Sequence, residues 1–183
     1  MEKSAFVKAV SLELSESLAC IDSAQLDSIV ELIVSGKRVY TFGAGQAGLM
    51  MKVLAMMLVQ AGFTAYIIGD VTTPSMNKDD VLIAASYSGT TKSTLLFATQ
   101  AKEKGASIGV ITADLRAPLA DIADVAVEIR SRSDKSSNMK SVLYEGDGFI
   151  QSLMPLVHCI ARLAGDAIGA TEETMLENHA NIE

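Results

Sequence analysis

A chain of 183 residues with 49% hydrophobic and 20% charged side chains has the apolar content for a full core and too little charge for a disordered segment. Its formal net charge of −7 argues against nucleic acid or an anionic membrane surface as the main partner, while leaving room for a small anion held by local donors. The richest apolar run, Leu49 to Ala61, is interrupted by Lys52 and Gln60 and is too short to span a bilayer.

The start, Met1-Glu2-Lys3-Ser4, leads into an amphipathic segment rather than the apolar run of a signal peptide. The two cysteines, Cys20 and Cys159, lack metal-type spacing and sit in helical, apolar stretches. They read as reduced core thiols of a cytoplasmic protein.

Residues 5–35 carry apolar positions at helical spacing, from Phe6, Val10, Leu14 and Leu18 to Leu26, Ile29, Val30 and Ile33. Ile21-Asp22-Ser23 breaks the pattern, with Asp22 or Ser23 capping a second helix that Gly36 closes. The first strand is Val39 to Phe42, followed by the loop Gly43-Ala44-Gly45-Gln46-Ala47-Gly48 and a helix through Gln60. A second strand at Thr64 to Ile68 leads to a loop that holds Thr72-Thr73-Pro74, and a third runs from Val81 to Ala85. The loop Ser86-Tyr87-Ser88-Gly89-Thr90-Thr91 then feeds a helix to Lys104. A fourth strand at Ile108 to Thr112, a short helix at Pro118 to Ala123 and a fifth strand at Val125 to Ile129 complete the alternation. The polar stretch Arg130 to Lys140 reads as a mobile loop, and Val142 to Ala167 as a long helix broken near Pro155. Short continuous apolar strands alternating with helices predict an α/β fold. Its five-stranded parallel sheet is flanked by helices on both faces, an α-β-α sandwich in one domain over residues 1–183.

In such a sheet, ligands bind at the carboxyl ends of the strands, where both glycine loops lie. Backbone N–H groups at the positive end of a helix favour phosphate, and Gly43 and Gly45 allow close approach. In the second loop Ser86, Ser88, Thr90 and Thr91 add four hydroxyls, and Lys92 stands beside them. Ordinary helix capping would use one such hydroxyl. Together the loops suit a phosphorylated sugar. A dinucleotide remains open, because Gly43-x-Gly45-x-x-Gly48 fits the dinucleotide fingerprint and Asp70 follows the second strand at the ribose-binding distance. Glu145 reads as an acid near a helix N-terminus, His179 as a tail residue and His158 as a satisfied core residue.

The two loops, the Thr73-Pro74 turn, Leu143-Tyr144-Glu145 and the tail His179-Ala180-Asn181-Ile182-Glu183 resemble the sugar isomerase (SIS) domain family over nearly the whole chain, above all its 6-phospho-3-hexuloisomerase branch. That resemblance implies a cofactor-free and metal-free isomerase of a sugar phosphate, acting through a cis-enediol. It implies Glu145 as the base, with burial bringing its pKa near working pH, and His179 as a helper at an oxygen, supplied by a neighbouring subunit. It implies substrate and phosphate contacts from Gly43, Gly45, Gln46, Ser86, Ser88, Thr90 and Thr91, and assembly into dimers or tetramers with shared sites. The chain departs from the family where a Gly-x-Gly-Arg-Ser loop is usual and Gln46-Ala47 stand instead, and at Asn178, where a basic residue is usual. A protein that binds a phosphosugar without converting it is the alternative.

Overall fold

The computed structural model describes residues 2–182. Twelve elements follow in the order α1 (Lys3–Ala19), α2 (Ser23–Ser35), β1 (Val39–Gly43), α3 (Gln46–Gln60), β2 (Ala65–Ile67), β3 (Val81–Ser86), α4 (Lys92–Glu103), β4 (Ser107–Thr112), α5 (Pro118–Ile122), β5 (Val125–Glu128), α6 (Asp147–Ala167) and α7 (Glu172–Glu177). The five strands form one parallel sheet in the order β2-β1-β3-β4-β5. The α/β fold with helices on both faces is therefore the one expected. Among the described residues no helix is long and apolar enough to cross a membrane.

The strand period of two divides the core. Val39, Val81, Ile83 and Ala85 turn to one face and pack with residues of α2, α3 and α6, including Ile29, Leu54 and Phe149. Tyr40, Leu82, Ala84 and Val110 turn to the other and meet Ala98 of α4 and Leu119 of α5. β3 lies at the centre, and all six of its residues are buried. This is why it reads as an unbroken apolar run.

Local chemistry sets the helix ends. Asp22 caps α2 by accepting the N–H groups of Ala24 and Gln25 at 2.8 and 3.2 Å. α6 begins only at Asp147, five residues later than its apolar pattern suggests, because left-handed Gly146 (φ 82°) turns the chain into it. It then runs through Pro155 without a break. The short α7, opened by a Thr171–Thr174 capping box, has too few residues to show periodicity.

Three expectations need correction. The 130–140 stretch is not free: Arg132 pairs with Glu16, Asp134 accepts the Ser131 N–H at 2.6 Å, and the Tyr87 hydroxyl accepts the Lys135 N–H at 3.1 Å. Cys20 and Cys159 are exposed rather than core thiols. His158 is also exposed, on the outer side of α6. His158 and Cys159 lie on α6 just off its buried stripe, and Cys20 is the C-cap residue that ends α1.

α1 is the odd element. Its buried residues are Glu13 and Ser17, while Phe6, Val7 and Leu12 face outward. Glu13 accepts the Ser141 hydroxyl at 2.7 Å and the Val142 N–H at 2.8 Å, so the helix holds the 130–146 segment by its carboxylates.

Candidate functional site

The strand order reverses between β1 and β3, and a crevice forms there at the carboxyl edge of the sheet. Its cavity, about 270 Å³, is lined by Ala44, Gln46 and Ala47 after β1, by Ser86, Tyr87, Ser88 and Thr91 after β3, and by Ile150 of α6. Two helix N-termini meet at this crevice. α3 starts after Gly45 and α4 after Thr91, and neither of these two N-cap residues makes a side-chain cap. The first-turn N–H groups of both helices are thus left for a ligand, and the helix dipoles favour an anion.

The hydroxyls of the second loop are not spent on capping. Ser86 Oγ and Thr91 Oγ1 are hydrogen-bonded at 2.9 Å, with Ser86 buried beneath the loop. Ser88 Oγ accepts the Thr90 N–H at 3.2 Å and its hydroxyl at 2.9 Å. Ser88, Thr90 and Lys92 are exposed at the rim. The hydroxyls thus form two separate pairs, Ser86 with Thr91 and Ser88 with Thr90, each able to turn to an anion instead. Gly89 has φ 59°, and a Cβ there would lie 2.4 Å from the Ala117 Cβ. Only glycine gives the loop this path over α5.

The first loop owes its glycines to packing. A Cβ on Gly48 would come 2.5 Å from the Gly43 carbonyl oxygen, and one on Gly43 would lie 2.8 Å from the Gly48 nitrogen. The Gly43–Gly48 spacing therefore reflects the tight strand-to-helix turn, whatever the ligand. Gly45 (φ 59°, ψ −131°) has open space around its Cα and leaves the backbone accessible. Gln46 is exposed and lines the cavity, offering an amide in place of a charge.

Residues 32–144 match the SIS domain family. The chain belongs to the SIS domain family. The 3-hexulose-6-phosphate isomerase of Bacillus subtilis is 31% identical to it, with each chain covered in full. The enzyme of that name from Mycobacterium gastri is 34% identical over 93% of this chain and 86% of its own. A Methanococcus jannaschii structure, from which a molecular function of 3-hexulose-6-phosphate isomerase was inferred, superposes with a TM-score of 0.82 at 26% identity, covering 97% of this chain and 98% of that one.

Within this SIS fold the expected site residues fall into two groups. Gln46, Ser86, Ser88 and Thr91 line the crevice, while Gly43, Gly45 and Thr90 belong to the same two loops without lining it. Glu145 and His179 do not join each other in one subunit. Glu145 is exposed just before the α6 cap, on the Tyr87 side of the crevice, and no carboxylate lines the 270 Å³ cavity among the described residues. The burial expected of a raised base is absent from the isolated subunit. His179 is exposed after α7 and lines a different cavity, about 530 Å³, with Lys52, Asp70, Thr73 and His158. His158 lies about 16 Å along the α6 axis from Asp147. The Thr72-Thr73 turn and Asp70 belong to this second cavity as well, away from the two loops of the crevice.

Tyr87 and Ile150 went unassigned in the sequence. Tyr87 is half-buried, and burial raises its phenol above the usual value; the Lys135 N–H opposes this, and the charges of Asp134 and Glu145 add to it. Ile150 is the wall that α6 contributes to the crevice, one turn beyond Gly146. Its place in the helical repeat could have flagged it, since it follows core residue Phe149 on the sheet-facing side.

Proposed function

We propose that this chain is a phosphosugar isomerase that interconverts 3-hexulose 6-phosphate and fructose 6-phosphate. The observation that carries the reading is the crevice at the strand-order reversal, where two helix N-termini without side-chain caps and Ser86, Ser88 and Thr91 border a space of about 270 Å³, with the Thr90 hydroxyl at its rim. The relatives' names supply the sugar. The 3-keto sugar loses its C2 proton to a base while the C3 oxygen gains a proton, giving a cis-enediol. The C2 hydroxyl then gives up its proton as the carbonyl forms there, and C3 is protonated. The change is redox-neutral and needs only proton carriers, so neither a redox cofactor nor a metal has a task in it.

In this reading the phosphate seat fixes the far end of the sugar and holds the reacting carbons against the base, which supplies much of the rate. Glu145 is that base. Its exposed position fits a site completed by a second subunit, which covers the carboxylate and brings its own His179 to an oxygen of the enediol. The outward Phe6, Val7 and Leu12 of α1 and Leu49, Met56 and Val59 of α3 supply apolar surface for a homodimer or homotetramer. The chain is one SIS domain over residues 1–183, cytoplasmic, with neither nucleic acid nor membrane as a partner.

The test is a panel of ketose and aldose phosphates followed by solvent-deuterium incorporation. Turnover with the 3-hexulose phosphate, abolished in Glu145→Gln while fructose 6-phosphate still binds, is the expected result. A second reading, phosphosugar binding without conversion, is favoured by the absence of a carboxylate from the crevice wall and by Gln46 at a position where the family usually carries arginine. Binding of fructose 6-phosphate by the wild type with no deuterium uptake selects that reading.

A further inference from the structure

We propose that Tyr87 is a positioning residue that carries the seating of an anion in the Ser86–Thr91 loop to the 131–149 segment, which bears Glu145. The proposal rests on the reading of that loop as the phosphate seat.

Tyr87 lies between the two loop serines, yet its side chain leaves the loop. Its backbone is pinned to the sheet edge: the carbonyl accepts the Ala113 N–H at 3.2 Å and the Thr112 hydroxyl at 3.4 Å. Its hydroxyl accepts the Lys135 N–H at 3.1 Å. Its ring lies under Gly146, where a Cβ would come 3.3 Å from two ring carbons, and is tilted against Phe149 with centroids 5.8 Å apart. One side chain thus touches the polar loop, the α6 cap and the first turn of α6.

These three places already form one unit. The Ser133 hydroxyl accepts the Gly148 N–H at 2.9 Å, and the Ser133 carbonyl accepts the Gly146 N–H at 3.4 Å. Asp134 holds the Ser131 hydroxyl at 2.8 Å. Ser131, Ser133 and Asp134 are bonded to one another and, through Ser133, to the cap and first turn of α6, so these parts are tied together. A tyrosine wedged between such a unit and a loop that closes on an anion moves both or neither, since close-packed contacts transmit displacement rather than absorb it. Glu145, the residue before Gly146, turns with the cap.

The test is hydrogen–deuterium exchange on the full chain with and without fructose 6-phosphate, with inorganic phosphate as a second probe, in wild type, Tyr87→Phe and Tyr87→Leu. In the wild type the ligand slows exchange at residues 86–94 and also at 133–148. Tyr87→Phe keeps the ring, so protection survives at 146–148 and is lost at the Lys135 amide. Tyr87→Leu keeps protection at 86–94 alone, and its kcat falls about tenfold or more while KM stays within about threefold. Protection confined to 86–94 in the wild type, or carried across undiminished in Tyr87→Leu, overturns the proposal. Where Tyr87→Leu does not fold, retention of ligand-induced protection at Lys135 in Tyr87→Phe overturns it. If neither probe slows exchange at 86–94 in the wild type, the phosphate-seat reading fails and takes the proposal with it, a pattern distinct from loop-only protection.

Discussion

Replacing Gly89 by alanine puts two separate penalties on the Ser86–Thr91 loop, and they can be measured apart. The backbone at φ 59° is strained for any L side chain, at about 1–3 kcal/mol. The new Cβ would also lie 2.4 Å from the Ala117 Cβ and 3.2 Å from Thr112 Oγ1, and such overpacking adds about 1–3 kcal/mol. Gly89→Ala should therefore cost roughly 4 kcal/mol in total. Gly45 has the same φ but nothing within 4 Å of its Cβ position, so Gly45→Ala should cost about 2 kcal/mol, the backbone part alone. Urea unfolding of both variants gives the comparison, with fructose 6-phosphate affinity measured on the folded fraction. Adding Ala117→Gly to Gly89→Ala removes the colliding methyl and should return part of the loss. If Gly89→Ala is no more costly than Gly45→Ala, and Ala117→Gly restores nothing, the account of the loop as a path pressed onto α5 is wrong.

Thr91→Val should leave the buried Ser86 hydroxyl without its 2.9 Å partner and weaken phosphate affinity about tenfold, as isothermal titration would report. Truncation before Asn178 should abolish turnover yet change stability by less than about 1 kcal/mol, since the exposed Asn178–Gln60 hydrogen bond is a weak tie to the body. Circular dichroism lost together with activity would contradict that division. Arg38→Ala should cost about 3 kcal/mol in denaturant unfolding, because it strands the buried Asp80 carboxylate that Arg38 holds at 2.6 and 2.8 Å. Burial alone would raise the Asp80 carboxyl, but hydrogen bonds from Arg38 and the Asn77 N–H outweigh it and leave the group below its ordinary value. The folded value thus lies below the unfolded one of about 3.9. The Asp80 contribution is full above that pH and disappears as pH falls through the folded value, and the wild type should lose this increment on acidification while Asp80→Asn does not.

The sheet and its crevice were legible because strand chemistry is local. Val81 to Ala85 is apolar at every position, as a strand covered on both faces must be, and the hydroxyls after it stand out as more than one helix cap needs. The start of α6 was not legible. Val142 to Tyr144 continues the apolar pattern, but Glu13, more than a hundred residues away in sequence, takes the Val142 N–H, and Ser133 takes the N–H groups of Gly146 and Gly148 where the helix begins. Cys20 is exposed because α1 ends one residue before it, and His158 and Cys159 because of their angle on α6. A helix turns 100° per residue, so one position separates the core from solvent. Glu145 and His179 were picked by resemblance alone, and their separation within one subunit follows from the length of α6, a distance that adjacency in a motif does not encode.

Most of this molecule is fastened by grease, but its first helix, besides packing on α6, is fastened to the 130–146 segment by charge. Glu16 grips Arg132 and Glu13 receives Ser141 and Val142, so the ties of α1 to the 130–146 segment are ionic and polar. Salt screens the partly exposed Arg132–Glu16 pair, while the apolar sheet is indifferent to it. Buffer composition therefore sets how firmly the stretch ahead of Gly146 is moored, and kinetic constants for this chain are comparable only at one ionic strength.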